Sequence, residues 1–404
     1  MSNAYPTLSL QTRATLGIST SNPPYEPILI SYAEVLKHNL QTPKSFMYAQ
    51  GKSVRTKPGT TRRTSLKFLA QHLGLDPSTV SFVLNNVPGR SIPEATRERV
   101  RKAAAEFNYQ PSLIARTLQG KPMRTVGILL PVLGDGYHSQ VLSGVGDRLM
   151  DEGYFYFTVH HRHKEELINS YPALLQARGV DAILAIDTHL DQPLPLPTVL
   201  VAGHTELPEV TNVVLDHELG AKLALEHLYG LGHRKIVYMK GQSVSTDTEQ
   251  RWQATMRVAR DLGLSVENRL IMQLAIDSTS PEISYPGIQG ILELHTKFSA
   301  ILSFNDVSAM GSVRALRDAG LRVPEDVSVV GFDDIQSASF HIPRLTTIRQ
   351  PLQTMGRTGA DALLKKLAGK ALPTVIQVEP ELIVRESTAP VCDRKSNTSN
   401  RKKG

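Results

Sequence analysis

Apolar positions along this chain follow two different periods. Between Thr64 and Gly120 they recur every three or four residues, as on one face of a helix. Leu66, Leu69, Ala70 and Leu73 give a first stripe, which Gly74 ends because glycine accepts the left-handed turn of a C-cap. Asp76 can cap a second helix, with Pro77 in the first turn where its missing N–H costs nothing. Val80, Val83 and Leu84 point inward on that helix and leave Ser78, Thr79, Ser81, Phe82 and Asn85 outward. A third helix opens near Pro93 and runs to about Asn108, burying Val100, Ala103, Ala104 and Phe107. A short helix with small polar residues at its exposed N-terminal end suits insertion into a DNA major groove.

From Arg124 the pattern alternates between apolar runs and amphipathic stretches. Strands are expected at 125–131, 154–159, 179–186, 198–202, 213–216, 235–239, 270–274, 300–304 and 327–332. Helices are expected at 139–152, 167–178, a long one ending at Tyr229, 244–262, 287–295, 306–319 and 355–367. Strands separated by helices imply parallel sheets covered on both faces. The predicted fold class is α/β: an all-α helix-turn-helix headpiece and hinge helix, then two doubly wound parallel-sheet subdomains with a ligand crevice at their strand C-termini. The expected domains are a disordered extension over 1–63, the headpiece over 64–110, a hinge over 111–123, two interleaved core subdomains over 124–390 and a basic tail over 391–404.

The order of particular residues adds a resemblance. Ala70, Gly74 and Ser78–Ser81, then Thr96–Val100, Ala105–Tyr109 and Pro111–Gly120 resemble the headpiece and hinge of the LacI/GalR family of transcriptional repressors. The body continues it with Asp216–Ala224, His227–Arg234, Ser303–Asp306 (where the acid is expected to cap the following helix), Val323–Asp334 and Leu345–Pro351. The resemblance implies a dimeric, cytoplasmic and nucleoid-associated repressor, not an enzyme, whose core is like periplasmic sugar-binding proteins. Its implied partners are a double-stranded, pseudo-palindromic DNA operator, a sugar-like effector and a second copy of the chain, with no membrane. A solute-binding or sensor protein that does not use DNA is the alternative. It predicts a signal peptide and no headpiece, and the sequence fits neither prediction.

Charge placement agrees with DNA binding. Residues 61–124 hold 11 Lys and Arg against 4 Asp and Glu, whereas residues 125–390 hold 23 against 31. Phosphate attraction therefore belongs to the small domain and not to the body. The single cysteine, Cys392, precludes a disulfide or a cysteine-based metal site within one chain. The N-terminal stretch lacks a charged start followed by an apolar core, and no apolar run is long enough to span a bilayer. Residues 1–63 read either as an extension preceding a later start such as Met47, or as an arm adding DNA contacts.

The candidate DNA-binding residues are Thr64, Ser78, Thr79, Ser81, Phe82 and Asn85 of the headpiece and Ser112, Ala115, Arg116 and Leu118 of the hinge. By the resemblance, paired hinge helices enter the minor groove and Leu118 wedges a base step; the plainer reading is an amphipathic linker with Leu118 packed on the body. Phe82 stands where relatives often carry an arginine; its ring can touch a thymine methyl but cannot read a guanine. The effector candidates are Tyr137, His138, Asp216, Arg251, Asn305 and Asp333. An arginine and an aspartate together can fork onto vicinal hydroxyls. The simpler alternatives are that Asp216 and Asp333 are helix or turn caps, and that Trp252 packs where it could instead stack a ring. His160, His161 and His163 lack a paired carboxylate or cysteine nearby, so a solvated or pocket-rim loop is favoured there over a metal. No cofactor is expected: Gly134-Asp-Gly136 lacks the third glycine of a dinucleotide fingerprint, and no phosphate loop or nucleophile elbow is present.

Overall fold

The computed structural model describes residues 64–85, 87, 89–109, 122–134, 136–275 and 279–391. The expectations for residues 1–63, for Ser112, Ala115, Arg116 and Leu118 of the hinge, and for the tail beyond Val391 fall outside the described residues.

The headpiece is three helices: α1 (Leu66–Leu73), α2 (Pro77–Leu84) and α3 (Glu94–Glu106). Ser65 caps α1 by accepting from the Phe68 N–H, and Gly74 ends it at φ 65°. Asp76 caps α2 by accepting from the Ser78 N–H at 2.8 Å. Leu69, Ala70, Val80, Val83, Val100, Ala103 and Ala104 form the common core, as the apolar spacing requires. Two longer bonds tie the ends together. The Thr64 hydroxyl donates to the Phe107 carbonyl at 2.9 Å, and the Arg99 guanidinium donates to the Leu73 carbonyl at 3.2 Å.

The body contains two six-stranded sheets. The first begins with β1 (Thr125–Leu130), α4 (Tyr137–Asp151), β2 (Phe155–His160), α5 (Glu165–Ala177), β3 (Ala182–Ile186), β4 (Thr198–Val201) and β5 (Thr211–Leu215). α6 (His217–Gly230) leads to the second: β6 (Ile236–Lys240), α7 (Asp247–Asp261), β7 (Ile271–Gln273), α8 (Tyr285–Glu293), β8 (Ala300–Leu302), α9 (Asp306–Asp318), β9 (Ser328–Asp333) and β10 (Thr346–Arg349). The chain then returns through α10 (Leu352–Leu367) and β11 (Val375–Val378) to the first sheet, and β12 (Glu381–Ile383) ends on the second. The orders are β11-β5-β4-β3-β1-β2 and β12-β10-β9-β8-β6-β7. Only β12, against β10, pairs antiparallel among them. β1, β3 and β4 are buried along their whole length, which is why they read as unbroken apolar runs.

Each sheet therefore reverses its strand order once, between β1 and β3 and between β6 and β8. Such switch points open a crevice beyond the strand C-termini. Helix α10 locks the first subdomain by close approach to α4. A Cβ on Gly144 would lie 2.0 Å from the Gln353 carbonyl oxygen, and one on Gly356 2.0 Å from that of Val141. α4 begins at Tyr137, two residues before the position the apolar pattern gave, and α7 begins at Asp247, three after it. The pattern did not foresee β10, β11 or β12.

Candidate functional site

The loops that leave β1 and β3 face the loops that leave β6, β8 and β9 across one cleft of about 750 Å³, its open mouth included. Val132, Gly134, Tyr137, His138, His163 and Asp187 line it from the first subdomain. Gln242, Ser245, Asp247, Arg251, Phe304, Asn305 and Asp333 line it from the second. The two walls touch at the rim. At Gly136 (φ 102°) a Cβ would meet the Ile335 side chain at 2.3 Å, so this left-handed turn is open to glycine and little else.

Arg251 is the centre of the second wall. It is buried, donates from one guanidinium nitrogen to the Phe304 carbonyl at 2.6 Å and from the other to Asp247 at 2.9 Å. Its guanidinium lies over the rings of Phe332 and Phe304, at 3.8 and 4.5 Å from their centroids. Its Nε lacks a partner. Asp247 accepts also from His204 Nε2 at 2.6 Å and faces His217 Nε2 at 3.3 Å. Burial works against its charge, but His217, His204 and Arg251 outweigh that and hold its carboxyl well below the usual range.

Asp187, at the end of β3, reaches across to the other subdomain. It accepts from the Thr246 N–H at 2.9 Å and the Thr246 hydroxyl at 2.7 Å, and pairs with His138 Nε2 at 3.2 Å. Although burial opposes ionisation here too, His138 and Thr246 keep its carboxyl below the ordinary value. Asp333 behaves oppositely. Burial dominates and lifts it to about 7, against the Arg251 charge and a 2.6 Å hydrogen bond from Gln350. The Tyr137 hydroxyl is enclosed without a partner, and burial followed by Asp247, Asp187 and Asp333 pushes it well above a normal phenol. A polar ligand placed in the cleft thus meets a guanidinium Nε, a phenol and carboxylates of differing protonation, around apolar walls.

The headpiece offers a second surface. On α2, Ser78 and Asn85 are exposed, and Thr79, Ser81 and Phe82 are half-buried. The Ser78 hydroxyl donates to Asp76 at 2.5 Å, and the Asn85 amide donates to the Ser81 carbonyl at 2.8 Å. The Arg90 guanidinium lies 4.7 Å from the Phe82 ring centroid, so a cation stands beside the position that lacks one on the helix.

Comparison with known proteins agrees with both surfaces. Residues 66–112 match the description "Bacterial regulatory proteins, lacI family", and residues 225–388 match "Periplasmic binding protein-like domain". The HTH-type transcriptional repressor PurR of Aliivibrio fischeri (strain MJ11) is 30% identical over 332 residues, which is 80% of this chain and 98% of that protein. The chain belongs to the LacI family. PurR of Haemophilus influenzae (strain KW20) is 29% identical over 341 residues, 81% of this chain and 99% of its own. Among solved structures, the lac repressor dimer bound to operator and the anti-inducer ONPF superposes with a TM-score of 0.73 at 26% identity, over 81% of this chain and all of that one. The CelR–cellobiose complex gives 0.61 at 26% identity, over 80% and 100%. This LacI-family chain is a DNA-binding, ligand-controlled transcriptional repressor. The PurR proteins and the lac repressor are repressors and CelR a transcriptional regulator, none of them named as an enzyme, and no helix among the described residues is long and apolar enough to cross a membrane.

Of the six effector candidates, the structure brings Tyr137, His138, Arg251, Asn305 and Asp333 to the cleft. Asp216 is not among its lining residues. It caps α6 by accepting from the Leu219 N–H at 2.9 Å and borders a separate surface depression. The expected cap of α9 is corrected as well. Asn305 makes the cap, in a reciprocal box with Ser308, because its side chain precedes the first helical N–H. Asp306 instead turns inward, taking bonds from Thr347 Oγ1 at 2.6 Å and the Ile335 N–H at 2.9 Å. Burial and then Asp333 raise its carboxyl well above the ordinary range. Asp333 itself faces Gln350, while Asp334 pairs with Arg349 and Arg385. Trp252 packs against the main core and does not line the cleft.

Of the three clustered histidines, His163 borders the cleft and His161 is buried. His161 Nδ1 accepts from the His163 N–H at 3.1 Å, so its Nε2 carries the proton toward Thr188 Oγ1 at 2.9 Å. Burial, followed by His163, lowers it to about 4 and keeps it neutral. Asp187 and Asp247 are cleft residues that sequence reasoning passed over. The available signals were an acid closing the apolar run Ala182–Ile186, and an acid one helical turn before Arg251.

Proposed function

We propose that the chain represses transcription as a dimer bound to a pseudo-palindromic operator, and that a polyhydroxylated, sugar-like ligand in the cleft controls it. The observation that carries this reading is one cleft lined by carboxylates from both subdomains, Asp187 on one wall and Asp247 and Asp333 on the other, with the Arg251 guanidinium among them. A ligand bridging Asp187 and His138 on one side and Arg251 and Asp333 on the other fixes the angle between the subdomains. The chain leaves the first subdomain toward the headpiece, so that angle biases how two headpieces are held on DNA. The coupling required is on the order of 1–3 kcal/mol. Thr64, Ser78, Thr79, Ser81, Phe82 and Asn85, with Ser112, Ala115, Arg116 and Leu118 of the hinge, form the DNA-binding set, and the repressor acts in the compartment that holds the DNA.

The test is a thermal-shift screen of the purified protein against sugars, sugar phosphates and nucleobases. A ligand bound only by the native state raises the melting point with the logarithm of its excess over Kd. A sugar that stabilises the protein, and no longer does so in Arg251→Ala and Asp333→Ala, supports the reading. A sugar that stabilises both variants as it does the parent overturns the site, and a nucleobase as the sole hit overturns the ligand class. Selection of bound duplexes from a random pool checks the DNA side, with two inverted half-sites as the expected product.

A further inference from the structure

Among the described residues, one group of His, Cys, Asp or Glu has its ligating atoms mutually within 4.8 Å: His204, His217 and Asp247. The three come from different parts of the body. His204 follows β4 of the first subdomain, His217 opens α6 where the chain crosses over, and Asp247 opens α7 of the second. His204 Nε2 and His217 Nε2 lie 3.5 Å apart, and each faces the same oxygen, Asp247 Oδ1, at 2.6 and 3.3 Å. A triangle with these sides has a point just off its plane about 2 Å from all three atoms, the bond length that zinc makes to imidazole nitrogen and carboxylate oxygen. The second carboxylate oxygen is already engaged by Arg251 at 2.9 Å, which fixes the orientation of the first. The enclosed Tyr137 hydroxyl, without a hydrogen-bond partner, lies near the same group of charges, Asp247, Asp187, Asp333 and Arg251.

We propose that His204, His217 and Asp247 bind a first-row divalent transition metal, and that the metal staples the two subdomains together at the back of the cleft. Two imidazoles and a carboxylate select zinc, cobalt or nickel over calcium or magnesium, which require more oxygen ligands. Three protein ligands leave a further position for water or for an oxygen of the cleft ligand. In the bound form both Nε2 atoms give up their protons or move them to Nδ1. Because the site draws on both subdomains, the metal binds the closed arrangement and not one in which they part, and so stabilises it.

The experiment uses the full chain, stripped with a chelator and titrated with Co(II), then displaced with Zn(II). The expected result is one equivalent per chain, visible absorption of a low-symmetry cobalt site, a raised melting temperature with Zn(II), and at least a tenfold loss of affinity in both His204→Gln and His217→Gln. His295→Gln, which alters an exposed histidine that does not line the cleft, keeps the affinity of the parent. Circular dichroism of each variant checks that it is folded. Absence of a cobalt spectrum at one equivalent overturns the proposal, as does tight binding that survives in folded His204→Gln and His217→Gln. Failure of the sugar screen leaves this result intact, because its readout is the metal itself.

Discussion

Asp333 makes a charge-dependent prediction whose size follows from the structure. Its carboxyl ends β9 at φ 112°, is 5% exposed and titrates near 7, where an unfolded chain gives 3.8. Burial is the main cause, and the groups facing it divide: Arg251, Gln350 and His138 favour the charge while Asp247 opposes it. Asp306, itself protonated more readily than usual, is also close enough to interact. Because the folded value is raised, the group costs nothing below about pH 3.8, where both states are protonated. The cost grows as pH rises and levels off above 7. A gap of about three units corresponds to about 4 kcal/mol at full ionisation, of which about 2–3 kcal/mol accrues between pH 5 and 8. Asparagine keeps an oxygen for Gln350, adopts a positive φ more readily than most residues, and cannot ionise. Asp333→Asn is therefore expected to stabilise the ligand-free protein relative to the parent, and to do so more at pH 8 than at pH 5 by about 2–3 kcal/mol. Urea unfolding followed by fluorescence of Trp252, the single tryptophan, reads the difference in midpoints. An advantage of Asp333→Asn that does not change between the two pH values would refute the reasoning.

Three further outcomes follow from packing. Leu69→Ala empties the centre of the headpiece core and is expected to cost about 2–5 kcal/mol there; amide exchange should show lost protection in α1 to α3 with the melting of the body unchanged. Gly144→Ala places a methyl 2.0 Å from the Gln353 carbonyl oxygen, so α4 and α10 must separate. A loss of about 1–3 kcal/mol by urea unfolding is expected, and no loss would show that the contact is not tight. Phe340 and Ile342 are 79% and 73% exposed on one loop, more than a lone chain usually tolerates side by side. Taken as part of the surface that a second copy covers, they predict that Ile342→Asp sediments as a monomer and loses operator binding while keeping cleft-ligand affinity.

The same chain shows why part of the fold was legible in sequence and part was not. β1, β3 and β4 are recovered because both faces are buried, and a short unbroken apolar run bounded by turns is what such a strand requires. β11 and β12 are hidden because they border their sheets: β11 alternates exposed and half-buried positions, and β12 is three residues long. β10 carries Thr346 and Thr347, whose burial depends on hydrogen bonds to Thr388 and Asp306, each 41 or 42 residues away. The site divides on the same principle. Asp333 ends a strand and Arg251 lies in a helix that the local pattern marks, and the cap role of Asp216 is a spacing signal of three residues. His204 and His217 carry no such mark, and the spacing of Asp247 from Arg251 says nothing of the two histidines beside it. Thirteen residues separate the first pair and thirty the second, and each lies in a segment with an ordinary local role. What makes them one cluster is the return of two strand orders to a shared crevice, a property of topology that no window along the sequence contains. The chemistry of this cleft therefore follows from which residues the topology pairs in space, and not from any motif along the chain.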